Sequence, residues 1–459
     1  MGETDFSVRE RRVVVVGAAR SGIAVAELLA GRGARVMLSE MRPTFADADR
    51  LRSSGIAVEV GGHRQETLAA ADLVVVSPGV PTEGAVFDAV RDRGVEIIGE
   101  VELASRWIRG RLVAITGTKG KSTTTTLVGR MLTAAGHRVL VGGNIGVPLS
   151  EQVEASTPET IHVVEVSSFQ LETTSAFRPW IAVWLNLSAD HLDRYSSLEA
   201  YASAKARVFA NQTPEDWVVL NADDPAVSVR GSGVTAQRVL FSLSGQIDAG
   251  FVVDGDWIVR RTATGVEQCV PVSAVELSGR HMLNNVLAAT AVSAIANVQP
   301  KAMVDGLAGF RGLPHAMEPV GEIRGVRFVN DSKATNVEAA RRSIESFPRG
   351  VVPIVGGRFK GGDLRQLRGP LSTGAVAVVA IGEATQLVRE ALEGVVPVID
   401  ASSMREAVER AYAAAAFRGV VLLAPGCASL DWFRDYAERG EVFKAEVARL
   451  KLAVEGSQP

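Results

Sequence analysis

Short apolar runs recur along this chain, each followed by a polar turn and then a stretch with helical spacing. VVVV at 13–16 leads into GAARSG and an amphipathic stretch through Leu29; ARVMLS, ADLVVVSPG and VEIIG follow. From residue 111 the same rhythm gives RLVAIT, RVLVGG, IHVVEVSS, IAVWLNLS and DWVVLN, then the helical stretch HMLNNVLAATAVSAIANV. FVVDGDWIV reads as a hairpin with Asp254-Gly255 as its turn. A third series contains GVRFVND, VVPIVGG, AVAVVAIG, VVPVID and GVVLLAP, interleaved with helices such as REAVERAYAAAAF. Near-continuous Val and Ile runs alternating with helices predict parallel sheets covered on both faces. The pattern is that of an α/β protein of three doubly wound blocks, with joints near Arg109–Gly110 and Gly312–Pro314, hence domains at 1–109, 110–312 and 313–459.

In open parallel sheets, ligands sit beyond the carboxyl ends of the strands. Polar clusters lie just there: Ser77-Pro78-Gly79, Gly143 to Gly146, Glu165 to Ser168, Asn186 to His191, Asn330 to Lys333 and Pro425 to Ser429. Six such clusters over three sheets point to a cleft between domains. The sharpest is VAITGTKGKST at 113–123, a strand, a glycine turn and a helix start. Gly117 and Gly120 allow the backbone to approach phosphates, with Thr118 and Lys119 between them. Lys121 reaches terminal phosphates, and the Ser122 or Thr123 hydroxyl is a magnesium ligand. Two residues rather than four separate the first glycine from Gly-Lys, a departure from the standard spacing. This loop is expected to bind a nucleoside triphosphate. A phosphate loop needs a metal, and Glu165 at the end of a buried strand would be costly without a partner, a cost a cation relieves. His191 reads first as a structural histidine and second as a ligand or base. By periodicity, Lys205 is an ordinary lysine on a solvated helix face.

Composition narrows the class. The balance of 49 basic and 52 acidic residues leaves −3, which argues against nucleic acid or an acidic membrane as partner. Cys269 and Cys427 match no metal or disulfide spacing and suit a reducing cytosol. No apolar run approaches the ~18 residues of a membrane span. RERRVVVVGAA mimics a signal peptide, but its apolar part is short and Arg20 and Ser21 follow at once, so it reads as a first strand. A degenerate dinucleotide fingerprint, GAARSG with Glu40 ending the next strand, is the one pointer to a dehydrogenase; Ala19 stands where the middle glycine belongs.

GTKGKST, GGNIG, EVSSFQLE, LNLSADHLDRY, NADDP, GLPH, NDSKATN and ASLDWFRDYAERGEVF, in this order, resemble the Mur ligase family of ATP-dependent amide-forming enzymes. The resemblance spans essentially the whole chain, and NDSKATN with the ASLDWF–RGEVF tail is similar to the branch that adds D-glutamate. It implies an N-terminal Rossmann-like UDP-binding domain, a central P-loop-type ATPase domain and a C-terminal Rossmann-like domain that receives the amino acid. The implied reaction phosphorylates UDP-N-acetylmuramoyl-L-alanine with ATP to an acyl phosphate, which the D-glutamate amine attacks, in cytoplasmic peptidoglycan precursor synthesis. Carried over by motif, Lys121, Ser122 and Thr123 hold phosphates and Mg²⁺, and Glu165 binds Mg²⁺. His191 serves a second Mg²⁺ and the reacting end of the substrate, and Lys205 matches a lysine that the family carbamylates into a metal ligand. Ser39, Ser77 and Asn144 match positions for the uridine nucleotide. Lys333, Thr335, Lys360, Ser429, Leu430 and Tyr436 match positions for D-glutamate or the phosphates, and Asn285 and Asp331 lie near the adenosine. A monomer is expected. Three positions depart from the family pattern: Ala316 replaces an arginine, Met282 an asparagine and Lys119 an asparagine, with Arg311 as a candidate stand-in for the missing arginine.

Overall fold

The computed structural model describes residues 6–191, 194–276, 280–347, 349–415 and 418–456. Its strands form three sheets. The first comprises β1 (Arg12–Val16), β2 (Arg35–Glu40), β3 (Ala57–Val60), β4 (Leu73–Val76) and β5 (Ile97–Gly99), in the order β3-β2-β1-β4-β5 and parallel throughout. Val13 to Val16 are all buried, as expected of a strand packed on both faces.

The second sheet holds β6 (Arg111–Thr116), β7 (Arg138–Gly143), β8 (Thr160–Glu165), β9 (Ile181–Trp184), β10 (Trp217–Asn221), β11 (Gln237–Ser242), β12 (Gly250–Asp254), β13 (Trp257–Thr262) and β14 (Gly265–Pro271). Their order is β14-β13-β12-β11-β10-β9-β6-β8-β7. The expected hairpin is present as β12–β13, but its turn is Gly255-Asp256 rather than Asp254-Gly255. Asp254 pairs with Trp257, which leaves Gly255, at φ 56°, to take the left-handed position. The third sheet has β15 (Glu318–Ile323), β16 (Val326–Asn330), β17 (Val351–Gly356), β18 (Val378–Ile381), β19 (Val398–Ala401) and β20 (Val420–Leu423), in the order β15-β16-β20-β17-β18-β19.

Chain packing gives two compact units, Met1–Phe310 and Arg311–Pro459. In the first, the helix Glu100–Ser105 carries two buried carboxylates into the second sheet's loops. Glu102 accepts backbone N–H bonds from Ser175 (3.0 Å), Ala176 (3.1 Å) and Phe177 (2.9 Å), and Glu100 accepts one from Ser150 (2.7 Å). No described helix is long and apolar enough to cross a membrane.

Candidate active site

Register builds the site. On β6–β8, Ile115 lies opposite Glu165, and on β7–β8, Gly143 lies opposite the same residue. The phosphate loop, Glu165 and Asn144 therefore leave the sheet at one level. Gly143, at φ 95°, allows this approach: a β-carbon there would stand 2.4 Å from the Glu165 carbonyl oxygen. The Glu165 carboxylate is buried but not alone. Ser122 Oγ donates to its Oε2 at 2.6 Å and Asn144 Nδ2 to its Oε1 at 2.9 Å. Two neutral donors thus offset part of the desolvation cost of this carboxylate, the cost for which a cation was expected.

The loop Gly117–Gly120 ends at Gly120, φ 83°, which caps the helix Lys121–Ala134. Asn186, just beyond β9, holds it. Its Oδ1 accepts from Thr118 N (3.1 Å) and Lys119 N (2.9 Å), and its Nδ2 donates to the Lys119 carbonyl (3.0 Å). Thr118 Oγ1 also exchanges bonds with the Ser188 backbone. Asn285 is buried against the other side of the loop, where a β-carbon on Gly120 would sit 2.3 Å from its Oδ1. Its amide contacts Met282 Sδ at 3.6 Å, so the methionine that departs from the family pattern packs on Asn285. Lys121 Nζ donates to the Thr118 carbonyl at 3.1 Å.

Lys205 overturns the helix-face reading. It lies on the helix Leu198–Ala206 but is only 1% exposed, with Nζ donating to the Gly117 carbonyl at 2.9 Å and lying 4.5 Å from the centre of the Tyr201 ring. Burial, with a smaller contribution from Lys121, pushes its ammonium down to about 7, against the opposing pull of Asp190 and Glu165. The exposed His191, at φ 55°, packs its ring on Phe169 (4.8 Å) and against Tyr201 (6.0 Å), so His191 and Lys205 flank one tyrosine.

A cleft of about 280 Å³ opens between the first two sheets, lined by Arg20, Ser77, Gly143, Asn144 and Gln170 among others. Ser77 and Asn144 come together there. Ser39 is wholly buried, with its hydroxyl 2.8 Å from His63 Nδ1, whereas Met41 beyond it is exposed. The Glu40 carboxylate is engaged by Ala18 N (2.6 Å) and by Arg42. Burial opposes its charge, but those hydrogen bonds prevail and hold it down at about 2.

In the second unit, three loops are stitched together. Gly426 N donates to the Ala334 carbonyl (2.9 Å), and Arg358 and Ala428 pair through both backbone bonds. The first contact sets the Lys333–Thr335 turn beside Ser429; the second brings in the loop bearing Lys360. Ser332 Oγ donates to the Tyr436 carbonyl at 2.7 Å. Ser429 is buried, while Leu430 and Tyr436 are exposed. Asp331 is buried, accepting from Met317 N (3.0 Å) and the Ser343 hydroxyl; burial raises its carboxyl above the ordinary range despite these bonds. Sequence reasoning gave no role to Asn186, Phe169 or Tyr201. For Asn186 the available signal was its position directly after the apolar run of β9.

The chain matches the Mur ligase MurD-like N-terminal domain over 11–99, the Mur ligase middle domain over 115–293 and the Mur ligase glutamate ligase domain over 317–427. It belongs to the Mur ligase family. Two relatives are named UDP-N-acetylmuramoylalanine--D-glutamate ligase: that of Acidobacterium capsulatum is 46% identical over 96% of each chain, and that of Pelotomaculum thermopropionicum is 42% identical over 97% of this chain and 99% of its own. The crystal structure of UDP-N-acetylmuramate-alanine ligase from Thermotoga maritima shares the fold, with a TM-score of 0.56 and 19% identity over 96% of this chain and all of the other.

Proposed function

We propose that this chain is an ATP-dependent ligase joining D-glutamate to UDP-N-acetylmuramoyl-L-alanine, with ATP cleaved to ADP and phosphate, in peptidoglycan precursor synthesis in the cytoplasm. The observation that carries this reading is the meeting of a phosphate loop, a strand-end glutamate and a buried lysine at one sheet edge. The full-length relatives bearing that name support it.

In this reading the ATP carbonyl-activating step transfers the γ-phosphoryl group to the alanine carboxylate, and the D-glutamate amine displaces phosphate to leave an amide. Such a reaction asks the protein for alignment and charge neutralisation rather than for a nucleophile. Backbone N–H groups of Gly117–Gly120 and the Lys121 ammonium hold phosphate oxygens; Asn285 and Asp331 serve the adenosine. Ser77 and Asn144 line the cleft for the uridine nucleotide, with Ser39 beneath the neighbouring turn. Lys333, Thr335, Lys360, Ser429, Leu430 and Tyr436 form the D-glutamate site. Ser122, Glu165 and His191 provide oxygen and imidazole donors suited to two Mg²⁺ ions. Magnesium, when bound, supplies neutralisation of phosphate charge.

Lys205 completes the set as a carbamate. Its neutral amine, accessible near pH 7 because burial lowers its proton affinity, adds to the carbon of CO₂ and loses a proton, giving an anion with two hard oxygen donors. The working division of the chain is 1–109 for the uridine nucleotide, 110–312 for ATP and 313–459 for the amino acid, acting as a monomer. The test is ADP release with UDP-N-acetylmuramoyl-L-alanine and, in turn, D-glutamate, L-glutamate, L-alanine, L-lysine and meso-diaminopimelate. D-glutamate alone should support turnover; equal rates with L-alanine, or release indifferent to the amino acid, refute the reading.

A further inference from the structure

Arg439 is the largest fully buried charged side chain among the described residues, 1% exposed on the first turns of the helix Tyr436–Glu455. Among the described residues no carboxylate pairs with it. Its guanidinium instead donates Nε to Ser332 Oγ (2.9 Å), one terminal nitrogen to the Ser332 carbonyl (2.8 Å) and the other to the Cys427 carbonyl (3.1 Å). A buried cation with no carboxylate in contact is expensive even with Asp431 attracting it from further off, and an apolar side chain of similar volume avoids that expense. Burial lowers its pKa to about 10, which still leaves it charged at neutral pH.

The acceptors show what the charge holds. Ser332 precedes Lys333 in the turn that carries Lys333 and Thr335, and Cys427 lies two residues before Ser429. Ser332 Oγ, while receiving Arg439 Nε, donates to the Tyr436 carbonyl. One planar fork thus fixes three backbone segments, and five of the six residues assigned to D-glutamate lie on or beside them. Lysine cannot reproduce this, because its single ammonium lacks the fixed spread of donors. Gly357 packs close by, a β-carbon there lying 3.3 Å from the Arg439 terminal nitrogen, so the fork has little room to turn.

We infer that Arg439 is the positioning residue of the amino-acid site: it sets the Lys333 turn against the Ser429 loop and places a fixed positive charge beneath a site for a dicarboxylate. This inference rests on the functional reading above. Asp331, assigned to the adenosine, precedes Ser332 but has its own anchors in Met317 N and the Ser343 hydroxyl, so the fork acts chiefly on amino-acid binding.

The test measures ADP release by wild type, Arg439→Met, Arg439→Lys and Ser332→Ala across D-glutamate and ATP concentrations, with circular dichroism and thermal melting of each. Arg439→Met should raise KM for D-glutamate at least tenfold while KM for ATP stays within twofold. Arg439→Lys, keeping charge but losing the fork, should recover only part of this. Ser332→Ala should raise the same KM severalfold, and combined with Arg439→Met should add little, because both break one network. A folded Arg439→Met with unchanged KM for D-glutamate, or with turnover reduced only in proportion to its unfolded fraction, overturns the inference. Where Arg439→Met does not fold, unchanged KM in both Ser332→Ala and Arg439→Lys overturns it equally. A wild type that ignores D-glutamate refutes the functional reading itself, whereas an active wild type with indifferent variants refutes only the role of Arg439.

Discussion

Lys205 and Asn186 show how single side chains govern this site. A lysine buried as an amine gains a charge when protonated, and the attraction of Asp190 and Glu165 does not make up for the burial of Nζ, which bonds the Gly117 carbonyl. Its folded pKa, about 7, lies below the ordinary 10.5. Between those values the unfolded chain binds more protons, so stability rises with pH across the window from about 7 to 10.5 and the full penalty applies below it. In CO₂-free buffer, urea melts of wild type minus Lys205→Met should therefore show a stability difference that climbs with pH through that window. A flat difference would mean the amine keeps its ordinary affinity. The same Lys205→Met variant should lose nearly all ligase activity if a carbamate is needed there. Asn186 acts on shape. Replacing it with alanine removes three bonds to the phosphate loop, which should cost about 1–2 kcal/mol and raise KM for ATP about tenfold. Asn186→Asp should be worse than alanine for ATP, because it loses the donor and sets an anion beside the phosphates. An unaltered kcat/KM for ATP in Asn186→Ala would remove the loop-holding role.

At the scale of elements, Gly120 joins strand logic to helix logic. Its positive φ and the buried Asn285 against it leave no space for a side chain, so Gly120→Ala should destabilise by about 1–3 kcal/mol and reduce turnover far more than that loss implies. Urea titration and ADP release check the two effects separately; normal turnover would show that the loop tolerates a reshaped start. The sequence announced this element plainly, because an apolar strand, two glycines and a hydroxyl-rich helix start have few other uses. Strands buried on both faces were equally visible. β3, β11, β14 and β15 were not: β3 is half exposed, β11 begins with exposed Gln237 and Arg238, β14 is exposed from Gly265 to Gln268, and β15 is an antiparallel edge interrupted by Pro319 and a register shift before Gly321. The strand ends marked where chemistry gathers, yet not which lysine is dry. Lys205 read as solvent-facing, yet packing makes it interior; Arg439 lies on the apolar face of its helix, four residues before Phe443, where its charge alone gave no sign of burial. Glu165 shows the opposite error. Its burial was legible, but its partners Ser122 and Asn144 come from two other strand ends that only the sheet register brings together.

For the whole molecule, the first two sheets form one unit through a shared apolar core, in which Val101 and Ala104 cluster with Leu149 and Leu171, and through carboxylates of one that reach backbone donors of the other. Glu102 is fully buried, and besides three consecutive N–H groups of 175–177 it receives Arg106 Nε at 2.9 Å. Exposed pairs across the same boundary, Arg20–Glu151 and Arg32–Glu154, are worth little in water. Glu102 is therefore the larger of the two buried polar ties, Glu100 accepting from Ser150 N. Removing it orphans the buried Phe177 N–H and the partly buried N–H groups of Ser175 and Ala176, while Arg106 keeps its pair with Glu96, a loss of about 1–3 kcal/mol. Glu102→Ala should split a single calorimetric transition of residues 1–310 into two, the earlier one belonging to the segment before Arg111. KM for the uridine nucleotide should rise, because Ser77 and Asn144 line one cleft from opposite sides of that boundary, while KM for ATP should hold. Glu102→Gln should retain part of the coupling, since its carbonyl oxygen still accepts from the loop. One unsplit transition in the alanine variant, with an unchanged KM for the uridine nucleotide, would show that apolar packing alone unites the two sheets.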